Sequence, residues 1–308
     1  MINLPKTQLQ VHPLCLGGNV FGWSAPKEES FEILNHYFEN GGNFVDTVDV
    51  YSEWHEGNSG GESESIIGEW MKSRGNRSQM VIGTKVSKLS TRKGLSAKNI
   101  LAACEDSLRR IQTEYIDIYY SHEDDPSVSM EETLTAYQNL ISAGKVRYIA
   151  ASQHTAARLE LALQISNTNN LPSYIALQDH YNLVHREPFE SEQAKVLKSH
   201  EITMIPFFGL ATGFLTGKYQ PGVNVESIRA KSVEKYQSQK GWQIVSVLDE
   251  IAKSLHTSIS AVALAWLRAH PQVSAPIASA RTVTQLVEIM DVVQLNQDQI
   301  SRLNQASS

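Results

Sequence analysis

Four residues in the first half of the chain are of types that do chemistry together: Asp46, Tyr51, Lys85 and His122. Asp46 and Tyr51 share the run NFVDTVDVYS, Lys85 closes VIGTK, and His122 ends IDIYYSH. A free phenol titrates near about 10, so it is a poor proton donor or acceptor at neutrality. A neighbouring ammonium favours the phenolate and brings that proton into use. A carboxylate paired with the lysine holds the ammonium in place. A histidine can hydrogen-bond a substrate oxygen and orient it. The set suits proton transfer to a carbonyl oxygen while the carbonyl carbon receives a hydride. Taken singly, each residue has a plainer reading. Asp46 reads as a turn or cap residue, Tyr51 as a half-buried loop aromatic, Lys85 as a solvated charge, and His122 as a satisfied core or loop histidine. Those readings are hard to hold together when all four stand at the same end of successive strands.

The elements that must position them alternate strand and helix. Strands are expected at 14–17, 43–47, 79–86, 115–120, 146–151, 174–178, 202–207 and 273–278. Amphipathic patterns fall near 28–39, 62–73, 96–111, 130–143, 155–166, 187–200, 258–269 and 282–290. After Ser96, an expected N-cap, Leu101, Cys104, Leu108 and Ile111 recur at spacings of three and four. A strand-then-helix repeat implies parallel strands joined by crossover helices. The short apolar strand runs fit a sheet covered on both faces. Eight such units predict an α/β fold, a closed (β/α)8 TIM barrel, in one domain spanning residues 1–308. An open doubly wound sheet is the competitor, but no G-x-G-x-x-G follows an early strand. Residues 1–12 read as a hairpin over the barrel bottom. Residues 208–241 form a long connection after the seventh strand, with an extra helix at 242–255 behind it, and loops of that length are usually functional or mobile. In a barrel, the C-terminal strand ends face the active site. Those ends carry Asp46, Lys85, His122, Ser152 and Gln153, Gln178, and Phe207 and Phe208.

Composition removes several function classes. There are 27 Lys and Arg against 33 Asp and Glu, a net of −6, with no strongly basic stretch, so nucleic acid is not an expected partner. No apolar run of about 18 residues indicates a membrane span. The start, MINLPKTQLQ, lacks the layout of a secretory signal, so a cytoplasmic location is expected. Cys15 and Cys104 cannot build a disulfide framework or a thiolate zinc site, and no H-E-x-x-H spacing occurs, so no metal is expected. The G-x-S-x-G match at Gly57 to Gly61 lies well beyond its strand, whereas a nucleophile elbow needs the serine on the strand-to-helix turn itself. GFLTGK, ending at Lys218, is too short for a P-loop and runs into Tyr219. Asn76-Arg77-Ser78 matches a glycosylation acceptor in a chain with no sign of secretion.

Seven segments, in order, resemble the motifs of the aldo-keto reductase superfamily: NFVDTVDVYS, GESESIIG, IDIYYSHEDDP, GKVRYIAASQ, LQDHYNLVHRE, GLATGFLTGKY and PIASARTVTQLVEI. GLATGFLTGKY resembles the branch of bacterial reductases and potassium-channel β subunits. The resemblance implies that Tyr51 is the general acid, that Lys85 paired with Asp46 tunes it, and that His122 positions the substrate carbonyl. It implies Ser152, Gln153 and Gln178 on the nicotinamide carboxamide and Phe207 stacked on the nicotinamide. Phe208 and Gly209 stand in the same cofactor wall, where the family usually has a small residue and proline. Leu210, Lys218 and Arg229 would grip the phosphates, and Ser279, Arg281, Gln285 and Glu288 belong to the adenosine segment. A guanidinium matches phosphate geometry, so Arg281 paired with a 2′-phosphate favours NADPH/NADP+ over NADH. Trp23 and Trp54, with His122, would shape the substrate pocket, and the two tryptophans together with the acidic run from Glu123 to Asp125 suggest a polar or sugar-like carbonyl. Gln153 replaces a common asparagine, and Ile289 replaces an adenine-binding one. The implied function is NADPH-dependent reduction of an aldehyde or ketone, with a small-molecule carbonyl as partner and a monomer as a plausible state. Two alternatives stay open: an NADP(H)-binding regulatory subunit with little turnover, and a barrel lyase or isomerase using Lys85 as a Schiff base.

Overall fold

A computed structural model describes residues 1–223, 225 and 230–308. Eight parallel strands form one sheet: β1 (Cys15–Gly17), β2 (Phe44–Asp46), β3 (Val81–Val86), β4 (Ile116–Ser121), β5 (Val146–Ser152), β6 (Tyr174–Gln178), β7 (Thr203–Met204) and β8 (Ile277–Ala278). They pair in chain order, and β8 returns to lie beside β1. Backbone bonds from Ser274 N to Met204 O (3.0 Å) and Ile277 N to Pro206 O (2.8 Å) close the gap between β7 and β8. The closed (β/α)8 barrel predicted from the alternation is therefore the observed architecture.

Two apolar cores explain why short buried runs make strands here. Phe44, Val81, Ile118, Ala150, Ile175 and Ile205 fill the barrel interior, joined from below by Leu4, Leu9 and Val11. Those three come from the predicted hairpin, in which Ile2–Asn3 pairs antiparallel with Gln10–Val11. Asn43, just before β2, ties the hairpin to the barrel bottom by accepting from His12 N (2.9 Å) and donating to Gln10 O (2.9 Å). The second core lies between the outer strand faces and the helices.

The longer helices are α1 (Lys27–Glu39), α2 (Glu62–Arg74), α3 (Ala97–Ile111), α4 (Met130–Ser142), α5 (Ala156–Asn169), α6 (Ala194–Ser199), α7 (Gln239–Leu255), α8 (Ile259–Arg268), α9 (Val283–Met290) and α10 (Gln297–Ser307), and a single short turn of helix spans Ala230–Val233. Ser96, Ser129, Thr155, Ser238, Ser258 and Thr282 each cap a helix by accepting the N–H three residues on. On α3 the buried stripe includes Ile100 and Ala103, while Leu101 is only half-buried. The helix predicted at 187–200 shrinks to α6, preceded by a wider turn at Phe189–Gln193. Pro188 keeps Glu187 out of the helix, and the chain makes that one wider turn before α6 begins. Helix α10 was not anticipated, although Asn296 and Gln299 form a capping box that the sequence displays.

Candidate active site

Asp46 ends β2, opposite Gly17 on one side and Gly83 on the other. Lys85, from β3, places its ammonium 2.7 Å from each Asp46 carboxylate oxygen and 2.8 Å from Thr47 O. Gln178 Nε2 donates to Asp46 Oδ1 at 2.9 Å. Asp46 and Lys85 are each 1% exposed. A buried ion pair is tolerable only when its geometry is good and the remaining polar atoms are satisfied, and these bonds meet that demand. Gly83 makes room for the Tyr120 ring beside the pair: a Cβ there would stand 3.0 Å from that ring. That ring lies under the ammonium, its centroid 5.5 Å from Lys85 Nζ.

Tyr51 is delivered by the loop after β2, and the GESESIIG motif holds that loop. Thr47 Oγ1 donates to Ser63 Oγ (2.8 Å), which donates to Gly18 O (2.8 Å), while Gly18 N binds Asp46 O (2.8 Å). Glu64 accepts from Thr84 Oγ1 (2.5 Å) and Arg110 Nε (2.6 Å), locking α2 onto β3 and α3. Gly68 lets α2 approach so closely that a Cβ would lie 2.5 Å from Arg110 O. The outcome is a Tyr51 ring centred 5.5 Å from Lys85 Nζ. Trp54 meets Tyr51 edge-on at 6.2 Å, and Trp23 meets Trp54 at 5.6 Å.

His122 follows β4, its N–H bound to Val86 O at 2.9 Å. Its Nδ1 is buried with no hydrogen-bond partner among the described residues. Burial first, then the Lys85 and Lys88 cations, push its pKa down to about 2. The imidazole is neutral at any working pH. Ser152 ends β5 with a buried Oγ that likewise lacks a partner among the described residues. Gln153 donates from Nε2 to His122 O (3.0 Å) and from its backbone to Gln178 O (3.0 Å), tying three strand ends together.

Above this floor opens a cleft of about 780 Å³. Tyr51, His122, Trp23 and Trp54 line it, as do Ser152, Gln153, Gln178, Phe207, Phe208, Gly209 and Leu210. Lys218, Ser279, Arg281, Gln285, Glu288 and Ile289 line its other reach. Asp46 and Lys85 are not in its wall; they are buried behind it. Arg229 lies outside the described residues. Sequence reasoning missed Asn19, Ser24, Thr212, Gly213, Thr216, Gly217 and Ser260, which also line the cleft. The glycines carried a signal: Gly213 and Gly217 turn the chain at φ +101 and +80, where other residues are strained. Asn19 hydrogen-bonds Ser279 across the β1 and β8 loops. Neither Lys218 nor Arg281 forms an ion pair with a described residue.

The acidic run does not reach the cleft: Glu123 pairs with Lys88 (3.1 Å), Arg158 grips Asp124 (2.7 and 2.9 Å), and Asp125 accepts from Leu95 N (2.8 Å). The suggestion of a sugar-like carbonyl loses that support. Asn76 is only 2% exposed and cannot present a glycosylation acceptor. Ser59 sits in an exposed loop, not on an elbow. Among the described residues no cluster of three or more His, Cys, Asp or Glu side chains could hold a metal, and no helix is long and apolar enough to cross a membrane.

Such a barrel, with polar side chains gathered at its C-terminal mouth, has the layout of a barrel enzyme. The chain belongs to the aldo/keto reductase family, matching it over residues 13–308, and that family makes it an oxidoreductase. It is 29% identical to "Protein tas" of Escherichia coli, over 92% of this chain and 90% of the relative. It is 31% identical to "Uncharacterized oxidoreductase YrpG" of Bacillus subtilis, over 96% and 91%. It is also 31% identical to a "Probable voltage-gated potassium channel subunit beta" of Oryza sativa, over 95% and 92%.

Proposed function

We propose that this protein reduces an aldehyde or ketone to an alcohol with NADPH, and that Tyr51 supplies the proton. One observation carries the reading: the sealed Lys85–Asp46 pair stands directly behind a tyrosine that opens into the cleft. The ammonium steadies the phenolate left when Tyr51 gives its proton to the carbonyl oxygen. Neutral His122 hydrogen-bonds that oxygen and aims it.

The cleft also fits the cofactor. Ser152 brings a buried hydroxyl with no partner among the described residues, which suits a carboxamide, and Gln153 and Gln178 stand beside it. Phe207 offers a ring face to a flat heterocycle. Lys218 and Arg281 offer cationic groups to phosphates, Arg281 in the planar form that suits a 2′-phosphate. When bound, the reduced nicotinamide supplies the hydride. Trp23 and Trp54 then bound the space left for the substrate.

A Schiff-base role for Lys85 is disfavoured, because three acceptor contacts hold that nitrogen as an ammonium and a Schiff base needs the free amine. The regulatory reading rests on relatives named as channel β subunits. Loss of NADPH absorbance with a panel of aldehydes and ketones decides between turnover and binding alone. We expect Tyr51→Phe to lower kcat by about 10²–10⁴-fold. Equal rates for the two proteins would overturn the role of Tyr51. Tight NADPH binding without turnover of any panel member, together with a co-purifying partner, would favour the regulatory subunit.

A further inference from the structure

His180 lies just past the end of β6 and does not line the cleft, yet the cofactor wall converges on it. The His185 ring stacks on it, centroids 3.8 Å apart and planes 10° apart. Phe207 lies nearly parallel, at 5.8 Å and 19°. Phe208 meets it edge-on at 5.3 Å and 78°. Asn182 adds a polar tie. Its Oδ1 accepts from Val184 N (2.9 Å), which fixes the amide's orientation. Its Nδ2 then faces both Phe208 O (2.8 Å) and His180 Nε2 (3.1 Å). An amide nitrogen only donates, so His180 Nε2 must accept, and the ring must be neutral with its proton on Nδ1.

The held segment needs holding. Phe208 stands at φ +54, a left-handed conformation that bulky residues avoid. The Asn182 bond to its carbonyl and the His180 contact to its ring offset that strain. The turn bearing His185 is itself tied, because Asn182 and His185 exchange backbone bonds of 3.0 Å each way.

We propose that His180 is a positioning residue for the cofactor, a neutral ring that stacks behind Phe207, meets Phe208 edge-on and keeps that wall where the nicotinamide packs. The inference rests on the nicotinamide-binding reading above. Around His180 stand His185 on the same turn, Lys235 on the turn Glu234–Tyr236, and Asp179 at the strand end. The Asp179 carboxylate is already engaged, by Gln193 Nε2 (2.7 Å) and by the His180 N–H (2.8 Å). Burial first, then His185 and Lys235, hold His180 down to about 4. It therefore keeps its acceptor through the neutral range.

The test compares His180→Gln, which keeps polar bulk but no ring, with His180→Phe, which keeps the ring. Calorimetry on the full chain measures affinity for NADP+ and for adenosine 2′,5′-bisphosphate, which lacks the nicotinamide. A lost ring stack is expected to cost His180→Gln about tenfold in NADP+ affinity. Its affinity for the bisphosphate should stay at that of the unaltered chain. His180→Phe should bind NADP+ within about threefold of the unaltered chain. A merely structural defect would weaken both ligands together. The proposal is overturned if His180→Gln binds NADP+ normally, if it loses both ligands equally, or if His180→Phe binds no better than His180→Gln. Failure of the unaltered chain to bind NADP+ would remove the underlying reading as well, so the two failures are distinguishable.

Discussion

Asp49 shows how far residue type alone can mislead. In DTVDVY it looks like one more polar loop residue, yet it is 1% exposed and neither carboxylate oxygen has a hydrogen-bond partner among the described residues. Burial first and the Glu64 carboxylate second, against the pull of Arg110, raise its pKa to about 8. It is protonated in the neutral folded protein. Its folded pKa exceeds the unfolded value of about 3.9. The stability from its protonated form is therefore whole below about pH 4 and lost as pH rises toward about 8. An asparagine in its place cannot ionise, so Asp49→Asn should melt above the unaltered chain at pH 8, with the gap shrinking toward pH 4. Thermal melts across that range check this, and a variant less stable at pH 8 would contradict it. At the cleft's other end, Arg281→Ala should weaken NADPH binding by about tenfold or more while leaving NADH nearly unchanged, since only the former carries the 2′-phosphate. Parallel titrations with the two cofactors decide it.

At the scale of elements, caps and apolar periodicity were legible, and boundaries set by tertiary packing were not. Ser96 was identified as the α3 cap, and its hydroxyl accepts from Asn99 N. The α3 stripe nevertheless includes Ile100, because the sheet and the neighbouring helices, not the helix alone, decide which residues face inward. Strand β7 is a two-residue ladder, although its chain continues beside β6 through Ile205 N to Leu177 O (2.9 Å). Leu4→Ala should cost about 2–5 kcal/mol, because Leu4 plugs the barrel interior from the hairpin and the barrel cannot collapse around the gap. Thr155→Ala should cost about 1 kcal/mol by freeing the Arg158 N–H at the start of α5. Denaturant titration measures both.

At the scale of the molecule, the net charge of −6 conceals a cleft that gathers Lys218 and Arg281. NADPH at about a hundred times its Kd should add about 2.7 kcal/mol to the folded state, read as a rise in melting temperature. No shift at saturating cofactor would count against the cleft as its site. The sequence by itself determined the alternation, and with it the barrel, because apolar period and turn chemistry are local properties of the chain. It also determined the types and order of the strand-end residues, and these lie at one mouth because parallel strands all point one way. Only the tertiary structure decided what each of those residues became. Lys85 and Asp46 proved to be sealed behind Tyr51, His122 neutral, the acidic run consumed by Lys88 and Arg158, and His180 joined to Phe207 and Phe208. Burial and partnership are set by segments far apart in the chain, and no local pattern encodes which of them will meet.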